Sequence, residues 1–249
     1  MPVCITGMHR SGTSMISRLL HDCGLYLGQD EDLLPPQGDN QAGFWENVYF
    51  VAVNEELLFQ LESGWDLPPE SFDLPEDHPR YQDLAAKTLF LLDQFSNREP
   101  WGWKDPRNSL TLPYWETFLP DLKLVICVRN PIEVVKSLSL RNNSSDAFGY
   151  NLWLAYNRRL LFTTNPQHRV ITHYDSYFID PLTELRRLMT FLDMPASDET
   201  LRKACQTVSS SLRHNLSPGI EEMKAQVPGE VLNLYRAICF EAGPVFTST

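Results

Sequence analysis

The 249-residue chain is predicted to be α/β, a single domain with a central parallel sheet flanked by helices. Three observations carry that expectation. Short apolar runs at 2–6 (PVCIT), 101–104 (WGWK), 122–128 (LKLVICV) and 169–173 (RVITH) alternate with helical patterns. The first run enters a glycine-containing turn that opens an amphipathic helix. The length suits one such domain with a sizeable core.

Taken in order, the first helix follows from Met15, Leu19, Leu20 and Cys23 on one face, with Gly24 as its terminator. Further helices are expected over 47–61, 79–97, 131–142, 146–163, 181–193, 198–206 and 229–241. Two stretches read as irregular: 30–45, with Pro35, Pro36, Gly38 and Gly43, and 64–79, with Pro68, Pro69, Pro75 and Pro79. Such loops are either solvated connectors or lids.

The turn itself carries chemistry. Unpaired N–H groups at a helix start, with the positive end of the helix dipole, suit a phosphate-like anion held over Gly7 to Ser14. The spacing of Gly7 and Gly12 is that of a P-loop, but Thr13 stands where a nucleotide kinase has Lys, and the cation comes earlier, at Arg10. A second motif lies at LKLVICVRNPIEVVKS, where a buried strand runs into Arg129, Asn130 and Pro131, and Ser137 follows on the next helix. Pro131 fits a first helical turn, and Ser137 returns about two turns later to the face near the start. A P-loop kinase needs a Walker-B Asp at such a strand end, and here the place reads Val128-Arg129.

The two motifs together resemble the sulfotransferase family, and the likeness runs from residue 3 to about 195, including the phrase HYDSYFIDPLTELRRLMTFLDMP from His173. The resemblance implies a P-loop NTPase-like sulfotransferase fold and 3′-phosphoadenosine 5′-phosphosulfate (PAPS) as donor, with no metal. It places Ser11, Gly12, Thr13 and Ser14 at the 5′-phosphate and Arg10 at the bridging oxygen. Arg129 and Ser137 fall at the 3′-phosphate, and Tyr174 at the adenine. A C-terminal segment holding Arg213 would close over the donor, so 207–249 is expected to be a lid and helix.

Two carboxylates are candidates for the base that takes the acceptor's proton. Glu46 in GFWEN matches the Glu that tyrosylprotein and some bacterial carbohydrate sulfotransferases carry after the first helix; the alternative is an acid favoured at the next helix start. In WKDPRN, Lys104 and Asp105 leave the end of a strand, the edge at which open α/β sheets bind ligands. Cytosolic sulfotransferases have Lys-x-His there, and this chain lacks that His. Asp105 is a second base candidate, or a salt-bridge partner of Lys104 or Arg107. His9 and His173 flank the same edge, where a hydrogen-bonded structural role is the commoner one.

The net charge of −11 is uneven, since 30–99 hold 16 acids against Arg80, Lys87 and Arg98, a local −13. That region is expected to border the acceptor, favouring a neutral or cationic small molecule, sugar or lipid over a polyanion. The expected donor-side cations, Arg10, Arg18, Lys104, Arg107, Arg129, Lys136 and Arg213, all lie elsewhere. No basic stripe interleaved with aromatics points to nucleic acid. Five cysteines without CxxC spacing indicate neither a disulfide framework nor a zinc site. No apolar run is long enough to span a membrane and no leader precedes the strand at Pro2, so a cytoplasmic protein is expected. The alternatives are a P-loop kinase and a catalytically silent nucleotide-binding protein.

Overall fold

β1 (Pro2–Thr6) is buried on both faces: Val3 and Ile5 enter one apolar cluster and Cys4 the other. Two-sided burial is why such strands read as continuous apolar runs. β2 (Trp101–Lys104), β3 (Lys123–Val128) and β4 (Arg169–His173) join it in the order β2-β1-β3-β4, every neighbour parallel. Ile5 lies opposite Lys104 and Val125, and Val128 opposite His173, so the carboxyl ends of the strands finish along one edge. The architecture comes from a computed structural model that describes residues 1–36, 43–72, 78–208, 223 and 226–247. Arg213 and His214 lie outside the described residues.

Helices cover both faces. α1 (Thr13–Asp22), α7 (Ser176–Ile179), α8 (Pro181–Phe191) and α9 (Asp198–Cys205) enclose the cluster around Val3, Ile5 and Val125. On the other face lie α2 (Val48–Gln60), α3 (Pro79–Phe95), α4 (Asn108–Phe118), α5 (Pro131–Asn142), α6 (Asp146–Thr163) and α10 (Gly229–Glu241). There Phe50 stacks on Trp103 with centroids 4.7 Å apart, and Trp103 meets Trp115 at 4.9 Å, which ties α2, β2 and α4 together. Offset ring contacts of this kind add about 0.5–1.5 kcal/mol to the area they bury.

Several helix starts are set by local chemistry. Asn130 accepts from the Ile132 N–H ahead of α5 with Pro131 in the first turn, and Ser145, Asp180 and Ser197 cap α6, α8 and α9 in the same way. Each such cap contributes about 1 kcal/mol.

The expected strands and the expected helices all coincide with these elements to within a few residues. α4 is the main element that the sequence reading lacks. Pro113 inside it removes one helical hydrogen bond and reads as a breaker, yet Leu110, Leu112, Tyr114 and Trp115 are buried around it, and that burial outweighs the local cost. The short helices Ser176–Ile179 and Pro244–Thr247 (α11) also lie outside the expected set. Among the described residues, no helix is long and apolar enough to cross a membrane.

Candidate active site

The turn between β1 and α1 lies at the carboxyl edge of the sheet, and its shape depends on two glycines. Gly7 has φ +143° and runs so close to β3 that a Cβ would stand 2.2 Å from the Cys127 carbonyl oxygen. Gly12, φ +88°, precedes α1, and a Cβ there would fall 2.3 Å from the Tyr174 ring. Between them Arg10 holds φ 70°, a left-handed conformation that costs a non-glycine residue about 1–2 kcal/mol. Ser11 is buried, and its Oγ meets no hydrogen-bond partner among the described residues. An orphaned buried hydroxyl beside a helix start is a feature that an anion's oxygen would satisfy.

The second motif meets this turn directly. Arg10 Nε donates to Ser137 Oγ at 2.8 Å, and Arg129 Nη1 donates to the Arg10 carbonyl at 3.2 Å. Arg129 also pairs through Nε with the fully buried Glu133, 2.7 Å away, and its guanidinium lies 4.4 Å from the centroid of the Tyr174 ring. Gly12, Arg10, Ser137, Arg129 and Tyr174 thus form one cluster. Tyr174 packs on the loop from β4, and Arg129 and Ser137 reach it from β3 and α5.

Beside the cluster is a buried ion pair. Lys104 Nζ, at the end of β2, lies 2.7 Å from Glu46 Oε1 and 3.4 Å from Ser14 Oγ. Ser14 Oγ in turn donates to the Phe44 carbonyl at 3.2 Å, which binds the segment before α2 to the loop. Glu46 does not cap α2. Asn47 does, with Oδ1 accepting from the Tyr49 N–H, and this leaves the Glu46 carboxylate facing Lys104. Lys104 and Glu46 are 1% and 7% exposed, so each charge depends on the other for compensation.

Asp105 is wholly buried and takes the salt-bridge role. Its Oδ1 accepts from the Arg107 N–H at 2.8 Å and from Arg107 Nη1 at 2.9 Å, and its Oδ2 accepts from Asn54 Nδ2 at 2.9 Å. Burial pushes the Asp105 carboxyl above its ordinary pKa, Arg107 opposes this and Glu46 adds to it. Arg107 is itself shared with Glu55, at 3.0 Å.

Of the other expected cations, Arg18 reaches Asp22 of its own helix, 3.9 Å away, and Lys136 is exposed on α5. Thr13 is buried in the first turn of α1. Reading the sequence passed over Asn54 and Glu133, whose burial no local pattern announces. His173 is fully buried with Nε2 against the Tyr235 hydroxyl at 2.8 Å, in the hydrogen-bonded structural role expected for it. His9 has a buried Nε2 without a hydrogen-bond partner among the described residues. Burial first, then Arg107, Lys104, Arg141 and Arg10, hold its pKa well below the ordinary value. Among the described residues, no group of His, Cys, Asp and Glu is placed to hold a metal ion.

A glycine-bounded turn, the basic side chains of Arg10, Arg129 and Lys104 and the buried Glu46 carboxylate gather at the carboxyl edge of a parallel sheet, the edge at which open α/β domains bind ligands. A profile described as "Sulfotransferase family" matches residues 2–198, and the chain therefore belongs to the sulfotransferase family of enzymes. Two nematode proteins, both named "Putative protein-tyrosine sulfotransferase", are similar to it. The one from Caenorhabditis elegans is 29% identical over 48% of this chain and 48% of its own length. The one from Caenorhabditis briggsae is 27% identical over 80% of this chain and 68% of its own. In fold the chain is similar to the sulfotransferase domain from the curacin biosynthetic pathway, with a TM-score of 0.56 at 13% identity over 96% of this chain and 98% of that one.

Proposed function

We propose that the protein transfers the sulfuryl group of PAPS to an acceptor hydroxyl. The observation that carries this reading is the meeting of the two motifs, in which Arg10 bonds Ser137 and accepts from Arg129. The residues fit the donor. The buried Ser11 hydroxyl and the start of α1 suit its 5′-phosphate, Arg129 and Ser137 its 3′-phosphate, and the Tyr174 ring its adenine.

The donor supplies an activated sulfur. Glu46 takes the acceptor's proton as the acceptor oxygen bonds to sulfur, while the sulfur–oxygen bond to the 5′-phosphate breaks and its electron pair stays on the phosphate. Arg10 and the N–H groups of the loop stabilise that growing charge, and Lys104 holds the Glu46 carboxylate in place. Because the ion pair is buried, the carboxylate meets the acceptor in a medium where such interactions are stronger than in water.

Two readings of the acceptor differ in their support. The −13 balance of 30–99 favours a neutral or cationic small molecule, sugar or lipid, whereas the names of the two nematode relatives favour a tyrosyl phenol. Turnover of ³⁵S-labelled PAPS against a panel of tyrosyl peptides, sugars, lipids, amines and sulfated polysaccharides, at low and high salt, tests both. Label transfer to a hydroxyl acceptor is expected. A protein that turns over ATP with magnesium instead, or that binds the desulfated donor without transfer to any acceptor, would refute the reading. Best activity on a polyanion at low salt would refute the charge argument alone.

A further inference from the structure

Asn54 lies on α2 and is wholly buried. Its Nδ2 donates to Asp105 Oδ2 and to Asn108 Oδ1, both at 2.9 Å, and its Oδ1 accepts from Thr111 Oγ1 at 2.7 Å and Trp115 Nε1 at 2.8 Å. An amide has two N–H donors and two acceptor lone pairs, so every valence is used. Saturation of this kind in the interior fixes one geometry, and the loss of any partner leaves a buried polar atom unsatisfied.

What this amide holds matters more than its saturation. The stretch from Glu46 into α2 meets the stretch Lys104-Asp105 at two rungs: Glu46 to Lys104 at 2.7 Å and Asn54 to Asp105 at 2.9 Å. Asp105 follows Lys104 directly, and its other oxygen is clamped by Arg107. The second rung therefore fixes the separation of the two segments that carry the first. Resting on the proposed roles of Glu46 and Lys104, we infer that Asn54 is a positioning residue for sulfuryl transfer, setting the Glu46–Lys104 pair through its amide bond to Asp105.

A pH profile separates this from a structural role. The titratable groups acting on Asp105 are Arg107 from its own turn, Glu46 from the segment before α2, Cys4 from β1 and Tyr156 from α6. Asn54→Asp keeps an acceptor for Thr111 and Trp115 but sets a second carboxylate against Asp105, and two touching carboxylates share one proton. At high pH the rung is repulsive; at lower pH the shared proton restores it.

With saturating PAPS and the best acceptor of the panel, Asn54→Asp should lose turnover by about 10- to 100-fold at pH 8. It should recover as pH falls, with KM for PAPS unchanged. Thr111→Val removes one partner of Asn54 without touching Asp105; it should lower stability and keep the wild-type pH profile. Wild-type turnover in Asn54→Asp at every pH, or a loss independent of pH, overturns the inference. Should Asn54→Asp fail to fold, the exchange Asn54→Asp with Asp105→Asn restores one amide–carboxylate rung and must turn over faster than Asp105→Asn alone; equal or slower turnover overturns it. A wild-type protein without transferase activity overturns the proposed function and this inference with it, while an active wild type with a pH-insensitive variant overturns the inference alone.

Discussion

Arg10 donates to Ser137 at 2.8 Å across 127 residues of sequence, and the same Arg10 offers its carbonyl to Arg129. The loop before α1 is thereby tied both to Arg129, at the end of β3, and to the middle of α5.

Replacing Arg129 tests the proposed contact with the 3′-phosphate of the donor. Arg129→Ala is expected to weaken binding of 3′-phosphoadenosine 5′-phosphate by roughly 1.5–3 kcal/mol and to leave its 3′-dephospho analogue much less affected. Calorimetry with both nucleotides decides, and equal losses would contradict the assignment.

Glu46→Gln should lower turnover by about 10²–10⁴ with donor affinity nearly intact, because loss of proton abstraction acts on that scale. The amide keeps an acceptor for Lys104 but leaves its buried charge uncompensated, so a loss of stability is expected as well, and turnover is compared at a temperature where circular dichroism shows the variant folded. Asp105→Asn is expected to cost stability and to lower turnover less than Glu46→Gln, through the placement of the Glu46–Lys104 pair and not through proton transfer, since both Asp105 oxygens are engaged within the protein. An inactive Asp105→Asn beside an active Glu46→Gln would reverse the choice of base.

Gly12→Ala sets a Cβ against the Tyr174 ring at a φ of +88°. A loss of about 1–3 kcal/mol of stability is expected from the strained backbone, together with weakened donor binding. In a Tyr174→Ala background the clash is gone, and Gly12→Ala should cost less stability there than in the wild type but still some, because the positive φ remains. Thermal denaturation of both single variants and the double variant reads this out, and no cost of Gly12→Ala in the Tyr174→Ala background would show that the backbone carries no strain.

His9 is expected to make the fold acid-sensitive. Its folded pKa lies well below that of the unfolded chain, so as pH falls from 7 through the unfolded value near 6.5 the unfolded chain gains a proton that the folded protein refuses. Stability from this residue is therefore present above that pH and is lost toward lower pH, at up to about 1.4 kcal/mol per pH unit. His9→Phe should lose less stability than wild type between pH 7 and pH 5 in urea denaturation. Identical losses would show that His9 is not the group responsible.

Much of the cluster around Arg10 and Arg129 was readable because its residues sit in contiguous motifs: Arg10 to Ser14 follow one strand, and Arg129 to Ser137 follow another. The Glu46–Lys104 pair was harder, because its partners belong to different motifs and the proximity of two buried charges far apart in sequence leaves no local trace. Asn54 gives no signal at all. Within its apolar helix it reads as one polar residue among many, and its meaning lies in Asp105, Asn108, Thr111 and Trp115, which come from another part of the chain.

The sequence by itself determined the parallel α/β fold, the positions of the strands and the glycine-bounded turn at Gly7 to Gly12, because strand burial, helix periodicity and glycine placement are properties of neighbours along the chain. Tertiary structure alone decided that Asn47 rather than Glu46 caps α2, that Glu46 is spent on Lys104 and Asp105 on Arg107, and that Pro113 is carried inside a helix. In each case a group with two available roles took the one that left no buried charge uncompensated or buried the most apolar surface. That choice depends on partners brought together only when the sheet closes.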